Sequence, residues 1–229
     1  MRALVALFII ICFSSCTTRK VITSSDLQQD FYYLALGDSY TIGESVNPSQ
    51  RYPTRIYDTL INLGYKSLNP RIIAKTGWTT DELQAAISGS DLRETYDLVS
   101  LLIGVNNQYR GWSISQFEKE FEELLEFAIT KAGGDRSKVF VISIPDWGVM
   151  PFAEGRDREK IAEEIDAYNA VKKSITEQKS VTFINITDIS RQRDSEKVLI
   201  AEDGLHPSGE QYRRWVERIF PVIKKQLDE

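Results

Sequence analysis

Ser39 ends the short run Leu34-Ala35-Leu36-Gly37-Asp38-Ser39, and the single histidine of the chain, His206, stands in Asp203-Gly204-Leu205-His206-Pro207. A serine hydroxyl is a weak nucleophile until a base takes its proton, and an imidazole base needs a carboxylate to hold its tautomer. Asp203, three residues before His206 with Gly204 between them to permit a tight bend, is spaced to supply that carboxylate. A lone histidine, or a lone Gly-Asp-Ser, is more often an ordinary core, surface or turn feature. Their joint presence points to a nucleophile, Ser39, with a base, His206. Acyl transfer also needs donors aimed at the oxyanion as it develops. Gly77 offers a backbone N–H free of side-chain obstruction, and Asn106, in Gly104-Val105-Asn106-Asn107, offers a side-chain amide. Each also fits a plainer role, Gly77 as a turn glycine and Asn106 as a loop or cap residue.

These residues need elements that bring them to one place. Residues 31–36 read as a buried strand delivering Ser39 to its C-terminal end. Pro53 opens a helix carrying Ile56, Leu60, Ile61 and Leu63 on one side, with Gly64 closing it. A strand over 71–74 leads through Gly77 to a helix with capping-box spacing at Thr79 and Glu82 and a stop at Gly89. Residues 97–103 are nearly continuous apolar sequence, as in a central strand covered on both faces. Ser115 and Glu118 have the spacing to open a helix with Phe117, Phe121, Leu124, Leu125 and Ala128 inward, ended by Gly133-Gly134. Its acidic run over 118–126 reads as a solvated face. Strands over 139–144 and 181–186 flank a helix bearing Ile161, Ile165, Tyr168, Val171 and Ile175. Ser208 and Gln211 open the last helix, which buries Tyr212, Trp215, Ile219 and Ile223 and carries a kink at Pro221. Strands alternating with helices predict a three-layer α/β/α fold with a mostly parallel five-stranded sheet, and its C-terminal edge is where ligands bind.

Other chemistries fit poorly. The nucleophile elbow of the α/β-hydrolases needs Gly-x-Ser-x-Gly, and residue 41 is Thr. Zinc hydrolysis needs several ligands at set spacing, and there is one histidine and no His-Glu-x-x-His, so no metal and no cofactor are expected. A formal net charge of −5, with basic and acidic residues mixed along the chain, argues against a nucleic-acid partner.

Gly37-Asp38-Ser39-Tyr40, Gly77-Trp78-Thr79-Thr80, Gly104-Val105-Asn106-Asn107 and Asp203-Gly204-Leu205-His206-Pro207, in this order, resemble the four blocks of the SGNH (GDSL) hydrolase family. The resemblance spans the chain from about residue 31 and implies the flavodoxin-like fold of that family. It implies Ser39 as nucleophile, His206 as base, Asp203 as its carboxylate, and an oxyanion hole from Ser39 N–H, Gly77 N–H and the Asn106 amide. The chain departs from the pattern at Tyr40, where the family name has leucine, and at Asn107, where aspartate is usual. The expected activity is hydrolysis of carboxylic esters through an acyl-enzyme. A carbohydrate O-acetyl esterase and a non-catalytic binding module on the same scaffold are the alternatives. Trp78, Trp112 and Trp147, with Met150 and Phe152, follow strand ends and are candidates for a substrate rim or for packing. Arg110 and Asp146 fit either polar recognition or service to their own loops.

Arg2, the apolar run 3–13 and Ser14-Ser15 have the order of a secretory signal, too short to span a bilayer. With Cys16 following, the segment resembles a bacterial lipoprotein signal, which implies export to the cell envelope and a lipid anchor on Cys16. An ordinary signal with an incidental cysteine is the other reading. Both cysteines, Cys12 and Cys16, lie here, so no disulfide is expected in the folded domain. The expected organisation is a signal segment over 1–16, a polar tether over 17–30 and a hydrolase domain over 31–229, with a small-molecule or glycan ester as substrate.

Overall fold

The structure is a computed structural model that describes residues 30–192 and 197–228. The signal segment, Cys16 and nearly all of the tether lie outside the described residues. Asp30, expected as the last tether residue, instead begins strand β1 (Asp30–Phe31), which pairs in parallel with β3 (Lys66–Ser67) and closes with an Asp30–Lys66 ion pair of 2.7 Å.

The main sheet contains β2 (Tyr33–Gly37), β4 (Arg71–Ala74), β5 (Leu98–Leu102), β6 (Val139–Ile142) and β7 (Thr182–Ile184). Their order is β4-β2-β5-β6-β7, with every pairing parallel. All residues of β2, β5 and β6 are buried, which is why these segments read as apolar runs: helices cover both faces. The chain runs from β2 outward to β4, then crosses back to β5 on the other side of β2. That reversal opens a crevice beyond the carboxyl ends of the strands, and β2 ends there.

Helices α1 (Ser39–Ile42), α2 (Tyr52–Asn62), α3 (Thr80–Ser88), α4 (Val105–Tyr109), α5 (Ile114–Lys131), α6 (Arg158–Gln178), α7 (Thr187–Arg191) and α8 (Gly209–Leu227) complete the layers. The short helices α1, α4 and α7 carry too few turns for a periodic apolar face to mark them in the sequence. In α2, Ile56 and Leu60 point inward, whereas Ile61 and Leu63 are exposed. Ile61 falls off the inward stripe at 100° per residue, and Leu63 is the C-cap, past the last residue of the helix. Helix α5 starts from Ser113, whose hydroxyl accepts from Gln116 N, and not from Ser115. In α3, the Glu82 carboxylate reaches back to accept from Thr79 N at 2.9 Å, as the capping-box spacing predicts. In α8 only half of the box forms: Ser208 Oγ accepts from Gln211 N at 3.2 Å, while the Gln211 side chain is buried and without a partner among the described residues. Pro221 lies inside α8 without ending it. Among the described residues, no helix is long and apolar enough to cross a membrane.

Candidate active site

β2 delivers Ser39 through a constriction that tolerates no side chain. A Cβ on Gly37 would stand 2.2 Å from both Leu102 O and Thr41 Oγ1, so only glycine lets the strand turn into α1 beside β5. Asp38 caps α1, its carboxylate accepting from Tyr40 N at 3.0 Å, and Ser39 is the first helical residue. An N–H at that position has no acceptor within its own helix and remains available to a ligand. Ser39 is buried to 5% exposure yet lines a cavity.

Asp203 and His206 face this position from the loop before α8. Asp203 Oδ2 receives His206 Nδ1 at 2.5 Å, and Asp203 Oδ1 accepts from Leu205 N and His206 N, each at 2.9 Å. Burial raises the Asp203 pKa. Hydrogen bonds from Ser45 Oγ, from the His206 ring and from these two amides outweigh that effect and hold the carboxyl well below its usual range. The loop is tied down on two sides, by Ala201 N donating to His206 O at 2.9 Å and by Phe152 N donating to Gly204 O at 3.1 Å. Ser39 and His206 line the same cavity, and Ser39 Oγ makes no hydrogen bond to the ring; such nucleophile–base bonds commonly close only around substrate. Tyr40, at the position where leucine was the expectation, packs its ring edge-on to His206 at 5.8 Å and against Trp215 at 6.3 Å.

The two oxyanion candidates meet at the ends of β4 and β5. Gly77 has φ of 88°, a conformation open to glycine and strained for most other residues, and Arg110 Nη2 donates to its carbonyl at 2.7 Å. Arg110 also pairs with Glu82 at 3.3 Å, so this residue serves the glycine loop. Asn106 Nδ2 donates to Trp78 O at 2.9 Å, which leaves the second N–H of the amide for another acceptor. Both Gly77 and Asn106 line the cavity. Asn107, in place of an aspartate, is fully buried: its Oδ1 accepts from Thr80 N at 3.2 Å and its Nδ2 donates to Thr80 Oγ1 at 2.7 Å. Thr80 Oγ1 donates onward to Glu120. An aspartate could not donate to a hydroxyl that is itself spent on a carboxylate, so the asparagine suits this network and docks α4 against α3.

The cavity holds about 170 Å³ and is walled by Val105, Tyr109, Trp147, Phe152 and Leu205. Of the three tryptophans considered for a substrate rim, only Trp147 lines it, held by Trp147 Nε1 donating to Gln108 Oε1 at 2.8 Å. Trp78 packs against the core, and Trp112 lines a separate groove beside α6. Tyr109 and Phe152, both more than two-fifths exposed, form the outer rim. The Arg156 guanidinium lies 5.2–5.3 Å from the centres of the Tyr109, Trp147 and Phe152 rings and donates to Tyr109 Oη at 3.1 Å. Asp146 serves its own loop: it accepts from Gly148 N at 2.8 Å and pairs with Arg191 at 2.9 Å. No group of three His, Cys, Asp or Glu side chains is placed to hold a metal ion among the described residues.

Beneath the site lie two buried ionisable groups, Asp38 and Lys172, whose burial the sequence did not reveal. Burial pushes the Asp38 carboxyl up to about 7, against the hydrogen bond from Tyr40 N and the positive charge of Lys172. Burial likewise pulls the Lys172 ammonium down to about 7, and its Nζ donates to Ile103 O at 3.0 Å and Ile142 O at 2.8 Å.

A sequence model described as the GDSL-like Lipase/Acylhydrolase family matches residues 35–214. No curated protein sequence matches the chain. Among solved structures, a lipolytic G-D-S-L family protein from Veillonella parvula superposes with a TM-score of 0.69 at 16% identity, covering 85% of this chain and 98% of that one. A structure described as TesA gives 0.66 at 19%, covering 85% and 99%. Axe2, an acetylxylan esterase from Geobacillus stearothermophilus, gives 0.63 at 19%, covering 84% and 94%. At these identities the likeness is one of fold.

Proposed function

The chain belongs to the GDSL-like lipase/acylhydrolase family, and we propose that within it this hydrolase cleaves short-chain carboxylic esters through a serine acyl-enzyme. The observation that carries this reading is the convergence of Ser39, the Asp203–His206 pair, Gly77 and Asn106 on one small cavity. His206 Nε2 takes the Ser39 proton as Oγ attacks the carbonyl carbon. Asp203, bonded to Nδ1, holds the ring with Nε2 toward the nucleophile and stabilises the imidazolium. The carbonyl oxygen, now an anion, is met by Ser39 N–H, Gly77 N–H and the second N–H of Asn106. His206 returns its proton to the leaving alkoxide. Water, activated by the same base, then hydrolyses the acyl-enzyme and restores Ser39.

The size of the cavity bears on the acyl group. At about 170 Å³ it falls below the roughly 300–1,000 Å³ of sites that enclose a drug-sized ligand, which supports a short acyl group. A second reading, a carbohydrate O-acetyl esterase, is favoured by the exposed Tyr109 and Phe152 rings, which can stack on the apolar face of a sugar. The acetylxylan esterase activity named for Axe2 is compatible with it.

The test sets acyl 4-nitrophenyl esters of rising chain length beside peracetylated sugars, with a fluorophosphonate serine probe in parallel. Acetyl esters are expected to be turned over fastest, and Ser39→Ala is expected to abolish both turnover and labelling while retaining the fold. Faster turnover of octanoyl than of acetyl esters refutes the short-chain reading. A wild-type protein that the probe does not label is a binding module instead.

A further inference from the structure

Ser45 stands three residues beyond α1, on the exposed loop that follows the nucleophile, and it was not among the residues that sequence motifs single out. Its Oγ donates to Asp203 Oδ2 at 2.6 Å, across 158 positions of chain. Asp203 thus accepts from Ser45 Oγ, His206 Nδ1, Leu205 N and His206 N, and Ser45 is the one donor of the four from outside the Asp203–His206 loop. The other three fix the carboxylate to its own loop. They do nothing to fix that loop relative to Ser39.

Two observations show that the surroundings hold Ser45 in place. Its φ of 63° lies in the left-handed region, which is strained for a residue with a side chain and persists only where neighbouring structure enforces it. Its neighbour Glu44 accepts a hydrogen bond from Thr76 Oγ1, next to the oxyanion glycine. One short loop therefore joins the nucleophile helix, the Gly77 loop and the Asp203 carboxylate.

We propose that Ser45 is a positioning residue for the catalytic pair, its hydroxyl clamping the Asp203 carboxylate to the nucleophile loop so that His206 is presented to Ser39 at a fixed distance. This inference rests on the serine-hydrolase reading above. Among the hydrogen bonds that hold Asp203 ionised, the one from Ser45 has the largest effect, ahead of that from His206. A residue acting in this way changes the rate of proton transfer and leaves the acyl and alcohol contacts alone.

The test measures kcat and KM on 4-nitrophenyl acetate, together with the rate of fluorophosphonate labelling, for wild type, Ser45→Ala, Ser45→Gly, Asp203→Ala and the double variant Ser45→Ala/Asp203→Ala. Loss of a hydrogen bond to an ionised group is expected to lower kcat and the labelling rate roughly tenfold in Ser45→Ala, with KM within about twofold of wild type. Ser45→Gly, which keeps the left-handed backbone without strain, is expected to show the same loss. In the Asp203→Ala background the Ser45 substitution is expected to add nothing, because its route of action is gone. An equal fold-loss in both backgrounds, or wild-type labelling by Ser45→Ala, overturns the inference while leaving the hydrolase reading intact. A wild-type protein that fails to label refutes the hydrolase reading and this inference with it.

Discussion

Asp38→Asn provides a quantitative test of the electrostatics beneath the nucleophile. In the folded protein, burial raises this carboxyl to about 7 from an ordinary value of 3.8. Between those two pH values the unfolded chain has released the proton and the folded protein retains it. Unfolding therefore releases a proton, so stability falls as pH rises from about 4 to about 7 and is level above that. At about 1.4 kcal/mol per pKa unit, the full penalty at pH 8 is on the order of 4 kcal/mol. An asparagine keeps the acceptor for Tyr40 N, and its amide replaces the Asp38 Oδ2 that has no partner among the described residues. It resembles the protonated acid in shape and charge. Asp38→Asn is therefore expected to match the wild type within about 1 kcal/mol at pH 4 and to exceed it by up to about 4 kcal/mol at pH 8. The assay is urea unfolding at pH 4, 5, 6, 7 and 8, followed by far-ultraviolet circular dichroism, with unchanged m confirming that the transition is the same. Subtracting one protein from the other cancels the titrations that do not interact with Asp38. Lys172 titrates near 7 as well, so the pH 8 comparison, where it is mostly neutral in the fold, isolates Asp38. A difference between the two proteins that does not change from pH 4 to pH 8 refutes the reasoning.

Two further outcomes are expected. Asn106→Ala removes one donor to the oxyanion and should lower kcat by roughly 10²–10³ with little change in KM, measured on 4-nitrophenyl acetate; a loss confined to KM contradicts the assignment. We also propose export and lipid anchoring through Cys16, from the residue order of segment 1–16. Expressed in a bacterial host, the full-length protein is expected in the membrane fraction and Cys16→Ser outside it; identical fractionation of the two argues against the anchor.

Much of the fold was legible because it is written locally. Apolar runs at 33–37, 98–102 and 139–142 specify strands buried on both faces, and Thr79 with Glu82 or Ser208 before Gln211 marks a helix start without reference to the rest of the chain. The candidate site was legible for a related reason. Asp203 and His206 share one loop, and Ser39, Gly77 and Asn106 each follow a strand, so a parallel sheet must bring them to one edge.

What tertiary structure alone decided is everything that depends on which loops become neighbours and which way a side chain points. Strand order β4-β2-β5 sets Gly77 and Asn106 on either side of Ser39, and no local pattern encodes that order. Trp78, Trp112 and Trp147 look alike in sequence, yet one packs on the core, one lines a separate groove and one walls the cavity, because helix rotation and loop path fix their directions. Lys172 lies beside Val171 on a helix that reads as amphipathic, and only the packed structure shows its ammonium buried against Ile103 O and Ile142 O. Ser45 meets Asp203 across 158 residues, and a contact of that separation follows from the two loops meeting at the same end of the parallel sheet and from nothing nearer in the chain.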